Sequence, residues 1–367
     1  MCQCRIILIN AVVLLFLFGC VRSGNIVSVN FDSSQDTISS DNISRFLGYI
    51  LMEESEEAKI SEKGRLTFAF GKSFFYVLDK SGDYSISIFD YSGHFIDKLN
   101  FKGDGLGQYV MAYDLVEDSA SGLLVVLDPT GKVIRYSVSD AFSFYDEINF
   151  KNLLPAAHSI GLFSEGIYVL YSRSSEYSFY VCSFSENTIN PLDYNIPVWL
   201  RLSPFMSVDS PFYNYQGELF YFDSINGSIY RIDRDRVEPY IRWDLGDFEL
   251  DKKDIATNQS LKYYINLRQK GSHRHATPFY QVLETEQLIL AKFMFRNLPY
   301  TLVYYKKEDY ASAFYRTAEG KQLPLGTLRD GIMYIPVTWD LALNYVDKKM
   351  LPIERTNSIV ILKYSLR

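Results

Sequence analysis

From about Arg45 onward the chain alternates short apolar runs with clusters of Gly, Asp, Asn and Ser. Runs of roughly four to eight apolar residues bounded by such clusters predict β-strands joined by tight turns. The runs recur in one format. Phe74–Asp79 is followed by a polar turn and Ser85–Asp90, and Leu123–Asp128 by Gly131–Tyr136. Gly166–Leu170 precedes Tyr177–Phe184, Glu218–Asp223 precedes Gly227–Asp233, and Gln287–Ala291 precedes Thr301–Tyr305. Gly331–Ile335 makes a sixth start. Each unit reads apolar strand, Asp or polar turn, second strand, at intervals of roughly 40 to 70 residues, a spacing that fits propeller blades carrying insertions. One four-stranded sheet leaves a face unburied, so such units stack around an axis and cover one another. The predicted fold is therefore all-β, a six-bladed β-propeller over residues 45–367 with short helical insertions.

Two stretches depart from the β pattern. Lys252–Lys270 sets Ile255, Leu261, Tyr264, Ile265 and Leu267 among polar residues and predicts a helix on one face of the disc. Thr338–Met350 places Leu341, Leu343, Tyr345 and Val346 at near-helical spacing, with Asp340 early and Lys348–Lys349 late, an order that suits the helix dipole.

Composition sharpens this picture. Aromatic residues make up 16% of the chain, with 29 Tyr and 26 Phe. These residues favour strands and fill the wedge between neighbouring sheets. Net charge is −7 and no Lys/Arg run occurs, which argues against the basic footprint that nucleic acid requires. Asp79, Asp128 and Asp223 recur at equivalent strand ends; one per unit reads as a turn cap accepting backbone N–H bonds rather than a calcium or catalytic set.

The first 20 residues read MCQCRIILINAVVLLFLFGC. Arg5 and the terminal amine precede an apolar stretch from Ile6 to Phe18, broken only by Asn10, with the length of a signal-peptide core. Leu17-Phe18-Gly19-Cys20 resembles a bacterial lipobox. The resemblance implies diacylglycerol on the Cys20 sulfur, cleavage before Cys20 and acylation of the new amine by a palmitate-type chain. Several acyl chains give stable anchoring where one does not. The expected organisation is a signal peptide over 1–19, a lipid-anchored tether over 20–44 with an apolar patch at Ile26–Phe31 able to pair with the body, and the propeller beyond. Of four cysteines, Cys2 and Cys4 leave with the signal and Cys20 carries lipid. Cys182 remains alone in a strand-like run and is expected in the core, without a disulfide. Val21-Arg22-Ser23-Gly24 lacks the acidic run of a surface-export signal, which favours the periplasm-facing side of an outer membrane over surface display.

Ser92–Leu99 followed by Gly103-Asp104-Gly105-Leu106-Gly107-Gln108-Tyr109 resembles a motif of the six-bladed β-propeller lipoproteins of Bacteroides-type bacteria, related in architecture to NHL-type propellers. Ser224–Ile232, Pro239–Gly246 and Glu354–Leu362 resemble three further family segments, in the family's order. Leu106, Gln108 and Ser358 depart from the pattern, standing where the family has Pro, Glu and Pro. The resemblance implies the fold and an envelope location, and assigns no activity.

Candidate chemistry is sparse. Gly103–Gly107 has the glycines of a phosphate cradle but is followed by a strand-like segment instead of a helix N-terminus, so a tight turn is expected. His94 falls in a hairpin turn and His158 at a strand edge; His273-Arg274-His275 is the one local cluster, read as an exposed loop with ligand contact as its minor role. Neither a nucleophile elbow nor a zinc-protease helix signature occurs, and no cofactor is implied. The sequence thus points to an envelope-anchored binding or scaffold module for a peptide, glycan or protein partner. The alternative is a lyase or hydrolase working at the propeller axis.

Overall fold

The structure, a computed structural model, describes residues 24–31, 38–60, 65–154, 156–197, 201, 210–250, 274–351 and 359–366. Its strands form one nine-stranded sheet and four four-stranded sheets. Strands β1 (Asn25–Asn30) and β2 (Ser44–Leu51) come first, and the rest fall into antiparallel quartets in chain order. The first quartet is β3 (Leu66–Phe70), β4 (Phe74–Asp79), β5 (Ile86–Asp90) and β6 (Phe95–Leu99). The second is β7 (Asp114–Asp118), β8 (Leu123–Asp128), β9 (Lys132–Ser137) and β10 (Ser143–Asn149). The third is β11 (Ala157–Ser164), β12 (Ile167–Ser172), β13 (Phe179–Ser183) and β14 (Thr188–Pro191). The fourth is β15 (Phe212–Tyr215), β16 (Glu218–Phe222), β17 (Ile229–Ile232) and β18 (Val237–Asp244). The fifth is β19 (Phe279–Glu284), β20 (Leu288–Phe295), β21 (Leu298–Tyr305) and β22 (Tyr310–Phe314). The sixth combines β23 (Thr327–Arg329), β24 (Ile332–Thr338) and β25 (Ile359–Leu366) with β2 from the other end of the chain.

Two pairings tie the termini in. β2 runs antiparallel to β25, with Ser44 opposite Leu366 and Leu51 opposite Val360. β1 runs parallel to β18, with Asn25 opposite Ile241, and then parallel to β22, with Val29 opposite Ala311. It therefore welds the fourth and fifth quartets into the nine-stranded sheet and covers two outer edges that would otherwise expose unpaired backbone.

The repeated apolar runs of the sequence are the second strands, β4, β8, β12, β16, β20 and β24. They read as continuous hydrophobic stretches because both their faces are covered: every residue of Leu123–Asp128 is buried. Apolar clusters fill the space between successive quartets. Tyr76 and Ile88 meet Leu124 and Ile134, Val125 meets Tyr168, and Val169 meets Leu219. Trp243 meets Ile289 and Phe293, and Leu290 meets Met333 and Val360. The remaining cluster joins the sixth quartet to the first through Tyr334, Ile361, Phe75 and Val77. Each large side chain so buried stabilises the fold by roughly 1.5–3 kcal/mol before entropy is counted. The aromatic excess lies here: Tyr171, Phe179 and Tyr221 form a triangle with ring centroids 4.9–6.0 Å apart between the third and fourth quartets. Cys182 packs in the second-to-third cluster, where burial pushes its thiol up to about 12.

The recurrent aspartates cap turns. Asp79 Oδ1 accepts from Ser81 N at 2.9 Å, Asp128 Oδ1 from Thr130 N at 2.8 Å and Asp223 Oδ1 from Ile225 N at 2.9 Å. The Gly103–Tyr109 loop turns its carbonyls inward around a cation of the protein itself. Lys132 Nζ donates to the carbonyls of Asp104, Gly105 and Gln108 at 3.2, 2.8 and 3.2 Å. A phosphate cradle requires amides at the centre, and here carbonyls surround an ammonium. Gln108 folds back to accept from Gly105 N at 3.1 Å.

The helical expectation for Thr338–Met350 holds only in part. A helix α1 covers Trp339–Ala342, and a single 3-10 turn follows at Lys348–Met350. Lys321 Nζ draws the carbonyls of Leu343 and Val346 out at 3.0 and 3.3 Å, and Gln322 N takes that of Asn344, so these groups are not available to continue the helix. The helix expected over Lys252–Lys270 lies outside the described residues.

Candidate functional site

The first strands of all six quartets line one central cavity of about 710 Å³. β3, β7, β11, β15, β19 and β23 contribute, among others, Phe68, Glu117, Leu162, Tyr213, Glu284 and Arg329. These strands point the same way along the cavity, as their contacts show. Lys72 N, just past β3, donates to Glu117 Oε1 near the end of β7 at 2.7 Å, and Gly166 N, just past β11, donates to Asp118 Oδ2 at 2.9 Å. Asn214 near the end of β15 donates to the Leu162 carbonyl at 2.8 Å. The C-terminal ends of the first strands thus share one mouth.

That mouth carries two ionic clusters. Buried Glu117 accepts from Lys72 N, from Tyr76 Oη at 2.5 Å and from Ser119 Oγ at 2.5 Å, and Arg329 reaches Ser119 Oγ at 3.1 Å. Gly71 leaves room for this carboxylate: a Cβ there would stand 1.7 Å from Glu117 Oε2 and force the side chain to shift. Across the mouth Glu284, whose side chain is wholly buried, accepts from Tyr213 Oη at 2.8 Å and Tyr240 Oη at 2.7 Å and pairs with Lys306 Nζ at 2.6 Å. Lys306 also lies 4.1 Å above the Tyr215 ring. Burial, then the neighbouring carboxylate, raises the Tyr76, Tyr213 and Tyr240 phenols well above their ordinary range, so all three stay neutral donors.

At the opposite end Asp114 Oδ1 accepts from Leu115 N and Asp114 Oδ2 from Ile160 N, both at 3.0 Å, stitching the second quartet to the third. His158, on β11 as the sequence places it, meets the Tyr113 ring edge-on at 5.6 Å, and Lys80 covers the same ring at 4.8 Å. Burial and the Arg173 charge lower the His158 pKa, favouring the neutral imidazole. Aromatic Phe68, Phe70, Phe212 and Tyr280 complete the wall, together with the amides of Asn214 and Gln281.

Of the cluster singled out in sequence, His273 lies outside the described residues. Arg274 is exposed, and His275 Nδ1 lies 3.1 Å from the Glu249 carbonyl. Neither lines the central cavity. His94 pairs with Asp90 at 3.3 Å in its exposed turn. Cys20 also lies outside the described residues. The first strands that supply Glu117, Tyr213, Glu284 and Arg329 lack long apolar runs; their trace in the sequence is their place just upstream of each repeat.

Fold and cavity together define a nearly all-β protein whose quartets share one central, ligand-sized site. The chain belongs to the family described as a domain of unknown function, DUF4934, which matches residues 25–356. Its backbone is similar to the crystal structure of a protein described as a "putative exported protein" from Bacteroides fragilis. That likeness has a TM-score of 0.70 at 19% identity and covers 94% of this chain and 100% of the other, and so speaks to fold alone. Comparison with curated proteins finds no match. Among the described residues no helix is long and apolar enough to cross a membrane.

Proposed function

We propose that this chain is an envelope lipoprotein, anchored through acylated Cys20, whose six quartets are the blades of a β-propeller and whose axial cavity binds an uncharged stretch of glycan or peptide. One observation carries the binding reading. The cavity's carboxylates, Asp114, Glu117 and Glu284, each already accept hydrogen bonds from protein donors, whereas the rings of Phe68, Phe70, Phe212 and Tyr280 and the Gln281 amide are among the residues that line the space between them. General acid–base work needs a carboxyl free to exchange its proton with substrate. Rings and amides suit a ligand recognised by stacking and neutral hydrogen bonds. The lipid reading is supported by the leader, the Leu17–Cys20 tetrad and the short distance in sequence from Cys20 to β1.

The test is direct. The soluble 21–367 fragment is screened on a glycan array and against envelope peptides, with Phe212→Ala as the cavity variant. A ligand bound by the parent and weakened at least about tenfold by the variant supports the reading. Turnover of that ligand would replace it with the axial-enzyme alternative, and binding indifferent to Phe212→Ala would place the site elsewhere.

A further inference from the structure

The way β1 enters the fold sets the direction in which the anchored body faces. β1 runs parallel to β18 with Asn25 opposite Ile241, so the chain enters from the half of the sheet in which β18 begins, the side of the Asp233–Arg236 turn between β17 and β18. The Lys306–Asp309 turn between β21 and β22 stands at the same end, because Lys306 reaches Glu284 at the C-terminal end of β19. Gly24 is fixed against the backbone of Pro239 and Tyr240, where an added Cβ would meet Pro239 C at 3.0 Å. Only three residues separate Cys20 from Gly24, and an extended chain covers at most about 14 Å over those four steps. Acyl chains on Cys20 must enter the hydrocarbon layer beneath a headgroup region several ångströms thick. So short a link cannot let the body turn over.

We infer that the bilayer surface is the partner of the rim formed by the β17–β18 and β21–β22 turns. The cavity mouth bearing Glu117–Arg329 and Glu284–Lys306 then faces the lipid headgroups, and the mouth bearing His158 and Asp114 faces away. This rests on the lipid-anchored reading of Cys20 given above. It adds a consequence for access: a ligand from the aqueous side enters past Asp114 and Tyr280, and only a membrane-borne one enters past Arg329.

The experiment uses the full acylated chain in phosphatidylethanolamine/phosphatidylglycerol vesicles containing a spin-labelled headgroup lipid. Single-cysteine variants Glu308→Cys and Leu298→Cys carry a maleimide fluorophore; both positions are exposed, and native Cys182 is buried. Leu298 opens the eight-residue strand β21 and Glu308 lies in the turn beyond its other end, and the strand itself is about 23 Å long. The expected result is headgroup quenching at least about threefold stronger at 308 than at 298. Inserting a flexible Gly/Ser linker of about 20 residues after Arg22 should bring the ratio close to one, since such a linker spans roughly 25 Å on average. Equal quenching without the linker, or stronger quenching at 298, overturns the orientation. Intact mass of the membrane-extracted chain separates the two claims: an acylated chain with equal quenching defeats the orientation alone, whereas a chain without acyl mass defeats the anchoring and the orientation together.

Discussion

Lys132 Nζ lies 2.8 Å from the carbonyl oxygen of Gly105, inside a loop whose backbone curls around it. The Asp104 and Gln108 carbonyls share the ammonium, and Glu147 stands 3.7 Å away. Lys132→Met would leave these acceptors facing an apolar tip. An uncompensated buried set of this kind costs about 2–4 kcal/mol. Urea denaturation should show that loss, and hydrogen exchange should show faster opening confined to 103–109. A stability change below about 0.5 kcal/mol with unchanged exchange would mean that the loop holds its own shape.

Glu284→Gln keeps the size of the side chain and removes its charge. Tyr213, Tyr240 and Lys306 all converge on that carboxylate, and Lys306 would keep its charge without its counter-ion. The expected loss is about 2–4 kcal/mol by thermal or chemical denaturation. Tyr213→Phe removes one neutral donor and should cost only about 1 kcal/mol. The ratio of the two losses is the readout; equal losses would show that the ion pair adds nothing.

Lys292 on β20 pairs with Gln281 and Thr301 on its two neighbouring strands and is 4% exposed. Burial lowers its pKa to about 7. In the unfolded chain it titrates near its ordinary value, so below about pH 7 it is charged in both states and the full burial cost opposes folding. That cost shrinks as pH rises from 7 and vanishes near 10.5. Lys292→Met should therefore stabilise the protein, on the order of a few kcal/mol at pH 6 and progressively less toward pH 10. Melting curves at the two pH values decide the matter, and a gain independent of pH would locate the effect in packing instead.

Glu319 fastens the segment before β2 to the loop after β22. Its carboxylate accepts from Ser39 Oγ at 2.6 Å and from Ser40 N at 3.1 Å, which holds its pKa down at about 2. The folded value lies below the unfolded one, so this contribution is fully present above about pH 4.5 and is lost as pH falls toward 2. Water screens so exposed a group, and Glu319→Gln should cost no more than about 1 kcal/mol at pH 7. The parent and variant stability curves should converge below pH 3; parallel curves would refute the linkage.

What the sequence made legible follows from burial. The second strands are covered on both faces, so Leu123-Leu124-Val125-Val126-Leu127 announces itself as an apolar run. The first strands do not. The strand-like segment expected from Val110 to Val116 starts later, as β7 over Asp114–Asp118, and its acids gave no sign of their role, which is to clamp backbone amides of the next quartet through Asp114 and Asp118. Arg329 and Glu284 were hidden for the same reason: their partners, Ser119 and Tyr213, are distant in sequence and become neighbours only once the first strands share a cavity. The Thr338–Met350 segment misled in the opposite sense. Its spacing is helical, but a lysine some 20 positions upstream takes the carbonyls that would have extended the helix.

The pairing of β2 with β25 has a kinetic meaning. Ser44 meets Leu366, so the earliest strand of the sixth sheet finds its neighbour only across about 320 intervening positions. Closing so long a loop is entropically slow. A chain delivered vectorially, from whichever end, passes through a state in which one sheet is a strand short and two apolar faces stand open.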